Sequence, residues 1–207
     1  MPLYAVMPAA GRSRRMGKCK YTLFVYNNKT VIECAIENVL LSGILDIFVV
    51  LNGEDAVVKA VSTYNVRICQ NDNEHSYMAD SIRIALNKIS IDNPNMDEKT
   101  GIMIALADQP VIKSATIKKI IDLYIANPKK IVIPTFKGRR GHPTIFPYYI
   151  IKDLSEMETL RDVIGKHEDK ILLLETDDEG IILDIDTPGD YEYVMEYIKS
   201  KEVFVKN

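Results

Sequence analysis

The chain has 207 residues, of which 47% are hydrophobic and 27% charged, and its formal net charge is −3 at pH 7. That profile excludes a disordered chain, and a domain of this size buries about 70% of its unfolded surface without disulfide staples. The slight acidity argues against a general nucleic-acid binder, and no run of 18 apolar residues is present to span a membrane.

Short apolar runs alternate with helical patterns along the chain, as expected of one unit over residues 1–207. Leu3 to Met7 reads as a buried first strand rather than a signal peptide, because arginines follow it instead of a long apolar run. Thr30 to Glu33 matches a capping box and opens a helix that runs to about Leu41 and ends at Gly43. Leu45 to Leu51 is strand-like, Asp55 to Thr63 helical, Asn65 to Cys69 a strand, and Met78 to Ile89 a helix with apolar residues at helical spacing. Asp92 to Thr100 is an exposed connection. Ile102 to Ala107 is a strand, Ser114 to Ala126 a helix and Lys130 to Pro134 a strand. The rhythm then breaks. Phe136 to Phe146 is basic and glycine-punctuated, Glu158 to His167 is helical, and Ile171 to Glu175 and Ile181 to Ile185 read as two strands of a hairpin. A last helix starts at Thr187-Pro188, with Thr as cap and Pro at the first helical position.

This alternation predicts an α/β fold: a mostly parallel sheet with helices on both faces and a small antiparallel addition. Ligands of such sheets bind beyond the carboxyl ends of the strands, so the chemistry is expected after Met7, Ala107, Pro134 and Ile185.

Pro8 to Lys20 follows the first strand directly. Its small residues let a backbone approach phosphate closely, and it carries five cations in nine residues, Arg12, Arg14, Arg15, Lys18 and Lys20. A basic patch for RNA is the alternative. Gly11 and Gly17 enclose five residues and Cys19 follows Lys18, so this is not a P-loop, and no GxGxxG occurs. Asp108-Gln109-Pro110 ends an apolar strand, either as a site carboxylate or as a plain turn. In Asp184-Ile185-Asp186-Thr187-Pro188, period-two alternation puts Asp184 and Asp186 on one face of a strand; helix capping is the bland alternative. Asp108 and Asp186 converging from separate strands would suit Mg²⁺. In Lys137 to Pro143, His142 could hydrogen-bond a substrate and the arginines could bind phosphate or stack on a planar ring. Cys19, Cys34 and Cys69 are odd in number and form no CxxC or Cys/His pattern, so a reducing, cytoplasmic setting is expected. Cys19 lies among cations that would lower a thiol pKa, without a histidine base.

A strand followed by Ala9, Ala10, Gly11, Ser13, Arg15, Met16, Gly17 and Lys20 at their spacing resembles the signature of the family of molybdenum cofactor cytidylyltransferases and molybdopterin guanylyltransferases. Asp108 to Pro110, Arg140 to Pro143 and Asp184 to Pro188 resemble the cytidylyl branch, and the likeness runs from Tyr4 to about Ile198. It implies a Rossmann-like nucleotidyltransferase fold and transfer of CMP from CTP to molybdopterin with release of pyrophosphate. Ala9, Ala10, Gly11, Arg12 and Ser13 would hold the triphosphate, with Arg15 and Lys20 as the key cations and Asp108 and Asp186 on Mg²⁺. Asn71, Met78 and Ser81 would border base and ribose, and Arg140, His142 and Arg161 would lie toward the acceptor. Ala10, where the guanylyl branch has glycine, leans toward CTP over GTP. An apo-molybdoenzyme is a further implied partner. The departures are Cys19 in place of a proline, Ala79 after Met78 where many members place a glycine before it, and a Ser155 to Arg161 stretch that keeps only Arg161. They leave open another phosphorylated acceptor or a non-catalytic molybdopterin carrier.

Overall fold

The computed structural model describes residues 1–73, 75 and 77–205, with backbone alone over 202–205. Strand β1 (Leu3–Ala9) lies at the centre of the main sheet. Its successive side chains enter two different cores: Ala5, Met7 and Ala9 on one face, Tyr4 and Val6 on the other. Burial on both faces is why the run is continuously apolar. It pairs in parallel with β4 (Ile47–Leu51) and β6 (Gly101–Ile104), and β5 (Arg67–Gln70) extends the parallel set beyond β4.

The other half of the sheet is mixed. β7 (Ile131–Phe136) does not lie beside β6, because β9 (Thr144–Pro147) is inserted between them and runs antiparallel to both. The two-residue β8 (Arg139–Arg140) folds back on β7, and β10 (Ile171–Glu175) pairs in parallel on its other side. A separate hairpin joins β2 (Phe24–Tyr26) to β3 (Lys29–Thr30).

One face of the sheet carries α1 (Val31–Leu41), α2 (Asp55–Val61) and α4 (Ser114–Ala126); the other carries α3 (Met78–Asp92), α5 (Tyr148–Ile151) and α6 (Leu160–Lys166). The capping box read from Thr30 is present: the Thr30 N–H donates to Glu33 Oε2 at 2.7 Å. Gly43, at φ +100°, turns the chain after this helix. The last helix, α7 (Pro188–Val205), opens with a similar box, in which Thr187 donates its N–H to Asp190 Oδ2 at 2.7 Å. Val194 of α7 packs with Met16, Val31 and Ile185, fastening the chain's end beneath the first loop.

Three local expectations change. The strand expected over Ile102 to Ala107 ends at Ile104, and the chain then turns toward the site. The basic, glycine-punctuated stretch from Phe136 to Phe146 leads into β9, whose Thr144 to Phe146 are buried. The hairpin expected from Ile171–Glu175 and Ile181–Ile185 does not form, since β10 pairs with β7 and the chain curls into a 3-10 turn at Glu179–Ile182. The cause is Asp178. This buried carboxylate accepts the Lys113 N–H at 2.9 Å and the Gly180 N–H at 3.1 Å, tying the segment to the loop before α4. The Ile181 carbonyl is likewise taken, by the His142 N–H at 2.9 Å. The small antiparallel addition of the expected fold is therefore β9, β8 and the β2–β3 hairpin.

Candidate functional site

The loop after β1 is held by its own residues. Ser13 adopts φ +50° and accepts the Met16 N–H at 2.9 Å on its carbonyl, while its hydroxyl accepts the Lys20 N–H at 3.1 Å. Gly17 takes φ +73°, a conformation that favours glycine. Met16 is buried against Ile185 and Val194, so it anchors a loop whose Arg12, Arg14, Arg15 and Lys18 are exposed. Gly11 lies where an added Cβ would come within 3.3 Å of the Tyr21 hydroxyl. Ala9 is buried and Ala10 half-buried.

Lys20 points inward and bridges two carboxylates. Its ammonium bonds to Asp108 and, at 2.8 Å, to Asp186, while Arg15 pairs with the second Asp186 oxygen at 2.7 Å. The two acidic loops are brought together by the backbone, through the Ile185 N–H donating to the Asp108 carbonyl at 3.0 Å. Burial by itself would push the Lys20 ammonium down, but Asp108 and Asp186 outweigh it and hold it above its ordinary value. Burial also acts to raise Asp186, and there the Lys20 bond and the nearby Arg15 prevail and hold it low. Asp184 has no such cation: partial burial, then the Asp108 and Asp186 charges, push its carboxyl up.

These carboxylates fit a hard divalent cation. Asp108 Oδ1 is buried without a hydrogen-bond partner, and a cationic side chain already spans Asp108 and Asp186. No group of three or more His, Cys, Asp or Glu able to hold a metal occurs among the described residues. Mg²⁺ commonly takes one or two carboxylates and completes its shell with substrate phosphates and water.

Two clefts are lined by residues of the first loop and of the expected acceptor region. One, of about 290 Å³, is bordered by Ala10, Gly11, Arg12, Arg14 and, across from them, Asn73, His75 and Tyr77. The other, of about 560 Å³, brings together Arg140, His142 and Arg161, the residues expected near the acceptor, with Met78 on its wall. Arg140 and Arg161 are exposed and carry no ion pair among the described residues, so the cleft presents unneutralised guanidinium groups to an anion. His142 is half-buried. Burial pushes its imidazole down against the smaller opposing effects of the Ile104 carbonyl and Asp108, favouring the neutral ring.

Asn71 and Ser81 are placed differently from Met78. Both are buried, and the Asn71 amide donates to the Ser81 hydroxyl at 2.9 Å, bracing the entry to α3 instead of lining a cleft. The Cys19 thiol does not respond to its cationic neighbours; burial, then a bond to Glu54, push it up. Sequence reasoning missed His75, Tyr77, Asp178 and Asp190. The T-x-x-D spacing from Thr187 signals Asp190, which also accepts the Asp186 N–H at 3.1 Å and so sets that carboxylate's backbone.

The chain is similar to known proteins over most of its length. Residues 5–171 match the MobA-like NTP transferase domain. The purine catabolism protein PucB of Bacillus subtilis is 27% identical over 211 aligned positions, covering 93% of this chain and 95% of PucB. Nicotine blue oxidoreductase of Paenarthrobacter nicotinovorans is 26% identical over 148, covering 68% of each chain. The crystal structure of Rv0371c from Mycobacterium tuberculosis superposes with a TM-score of 0.73 at 25% identity, covering 95% of this chain and 98% of that one.

Proposed function

Because this chain belongs to the MobA-like NTP transferase domain family, and is thus a nucleotidyltransferase, we propose that it transfers CMP from CTP to molybdopterin and releases pyrophosphate. The observation that carries this reading is the convergence of Lys20 from the first loop on Asp108 and Asp186, in a chain that also forms a small cleft lined by that loop and a larger cleft bearing Arg140 and Arg161. The first suits a triphosphate and the second another phosphate.

A terminal phosphate oxygen of the acceptor forms a bond to the α-phosphorus of CTP. The α–β phosphoanhydride bond breaks, and its electron pair leaves with pyrophosphate. The attacking phosphate is already ionised at neutral pH, so the chain supplies no general base; its work is positioning and charge neutralisation. Ala9 to Ser13 cradle the triphosphate, and Arg15 and Lys20 stabilise charge that develops on the leaving group. Arg140 and Arg161 hold the acceptor phosphate, and His142, as a neutral ring, orients it without adding charge. Asp108 and Asp186 would hold Mg²⁺, which would supply Lewis-acid chemistry toward the transferring phosphate. Met78 lies on the wall of the acceptor cleft, and Asn71 and Ser81 act through the loop that they brace.

The test is pyrophosphate release by the purified protein with Mg²⁺, molybdopterin and CTP or GTP in parallel. Release with CTP that is lost in Asp108→Ala is the expected result. Preference for GTP would reverse the base assignment that rests on Ala10, and no release with either nucleotide would overturn molybdopterin as the acceptor. Pterin binding that ignores both Mg²⁺ and Asp108→Ala, without release, would instead identify a carrier.

A further inference from the structure

A third cleft, of about 640 Å³, lies between the start of α3 and the start of α6 and is bordered by Tyr77, Met78, Asp80, Arg83, Glu158 and Thr159. It adjoins the arginine-bearing cleft across a shared ridge of Met78, Thr159 and Leu160. Most of its polar side chains are already engaged. Asp80 accepts the Tyr77 N–H at 2.8 Å and pairs with Arg83 at 2.6 Å. Arg83 spends its other donors on the Leu154 carbonyl at 2.9 Å and the Met157 carbonyl at 2.5 Å, and Thr159 is bonded to Asp162. Two groups are left over. Tyr77 is 80% exposed and its hydroxyl has no partner among the described residues, and Glu158 has neither hydrogen bond nor ion pair there. An aromatic face and an unspent carboxylate on one groove match a planar heterocycle that carries N–H donors.

We propose that this cleft is the seat of the acceptor's heterocyclic ring, with Tyr77 stacking on the ring and Glu158 accepting from its amino or ring N–H groups. The acceptor's phosphate would then lie over the ridge, against Arg140 and Arg161. The inference rests on the transfer reading above for the identity of the acceptor, but the cleft can be tested without turnover.

The experiment is titration of the full chain with pterin itself, followed by pterin fluorescence, without metal or nucleotide. Tyr77→Leu and Glu158→Gln are expected to weaken binding roughly three- to tenfold, and Tyr77→Phe to retain it. The exposed positions of both residues leave the unfolding temperature unchanged. Undiminished affinity in Tyr77→Leu or in Glu158→Gln, or absence of pterin binding by the unmodified chain, would each overturn the proposal. Absent pyrophosphate release in a chain that still binds pterin through Tyr77 would overturn the transfer reading alone.

Discussion

The Lys20 ammonium donates to the Asp186 carboxylate at 2.8 Å across 166 positions of chain, and the same ammonium holds Asp108. A single side chain from the first loop thus bridges the acidic pair contributed by two later loops, with Arg15 as a second cation on Asp186. Lys20→Met removes that charge and leaves Asp108 and Asp186 to repel each other. The expected stability loss is about 2 kcal/mol, below the range for fully buried pairs because both carboxylates keep some contact with water. Urea unfolding checks it, with Mg²⁺ restoring part of the loss in the variant; an unchanged midpoint would show that the bridge does not hold the site together. Pyrophosphate release should fall on the order of 10²–10³-fold.

Asp184 and Asp186 carry opposite pH signatures. The depressed Asp186 contributes stability that is present above the ordinary aspartate range and is lost as pH falls through its lowered pKa. Asp184 is raised, so its ionised form costs stability at neutral pH and protonation relieves that cost as pH falls. Asp184→Asn is therefore expected to raise the metal-free unfolding temperature at pH 7. The gain should fade below about pH 4, where the unfolded carboxyl is also protonated. Melting curves across that range decide the sign.

Gly141 leads from Arg140 into His142, and a Cβ added there would lie 2.3 Å from the Ile181 carbonyl oxygen. That oxygen belongs to backbone already bonded by the His142 N–H, so it cannot swing aside. Gly141→Ala should cost about 1–3 kcal/mol and displace the wall of the arginine cleft, raising KM for the acceptor more than for CTP. Gly165, inside α6, has nothing within 4 Å of its added Cβ. Gly165→Ala should stabilise by about 0.5–1 kcal/mol, and denaturant titration of the two variants gives opposite signs.

Asp178 is fully buried and binds two backbone N–H groups, those of Lys113 and Gly180. Asp178→Ala strands both donors and should cost about 2–4 kcal/mol. Its effect is expected in unfolding and not in kcat at temperatures well below the transition, because the side chain faces the interior of the fold and not a cleft. A large fall in kcat with unchanged stability would give Asp178 a part in the reaction.

Much of this molecule follows from local sequence. The apolar runs at Leu3, Leu45 and Ile102 become central parallel strands because only a strand covered on both faces is apolar at every position. The Thr30 box and Gly43 bound their helix, and Ser114 to Ala126 forms a helix as its spacing predicts. The meeting of the first loop with Asp108 and Asp186 was legible as well, since strand ends in such a sheet share one edge. What sequence could not supply was pairing. The insertion of β9 between β6 and β7 depends on long-range partners, as does the curl at Asp178 that replaces a hairpin, and their short segments carry no periodic signal of their own. The same holds for the exposed Tyr77 and unspent Glu158, which mean little as letters and become a cleft only when α3 and α6 start side by side. Local chemistry is written in residue spacing, whereas the neighbours that make it a site are set by which strands and helices find each other.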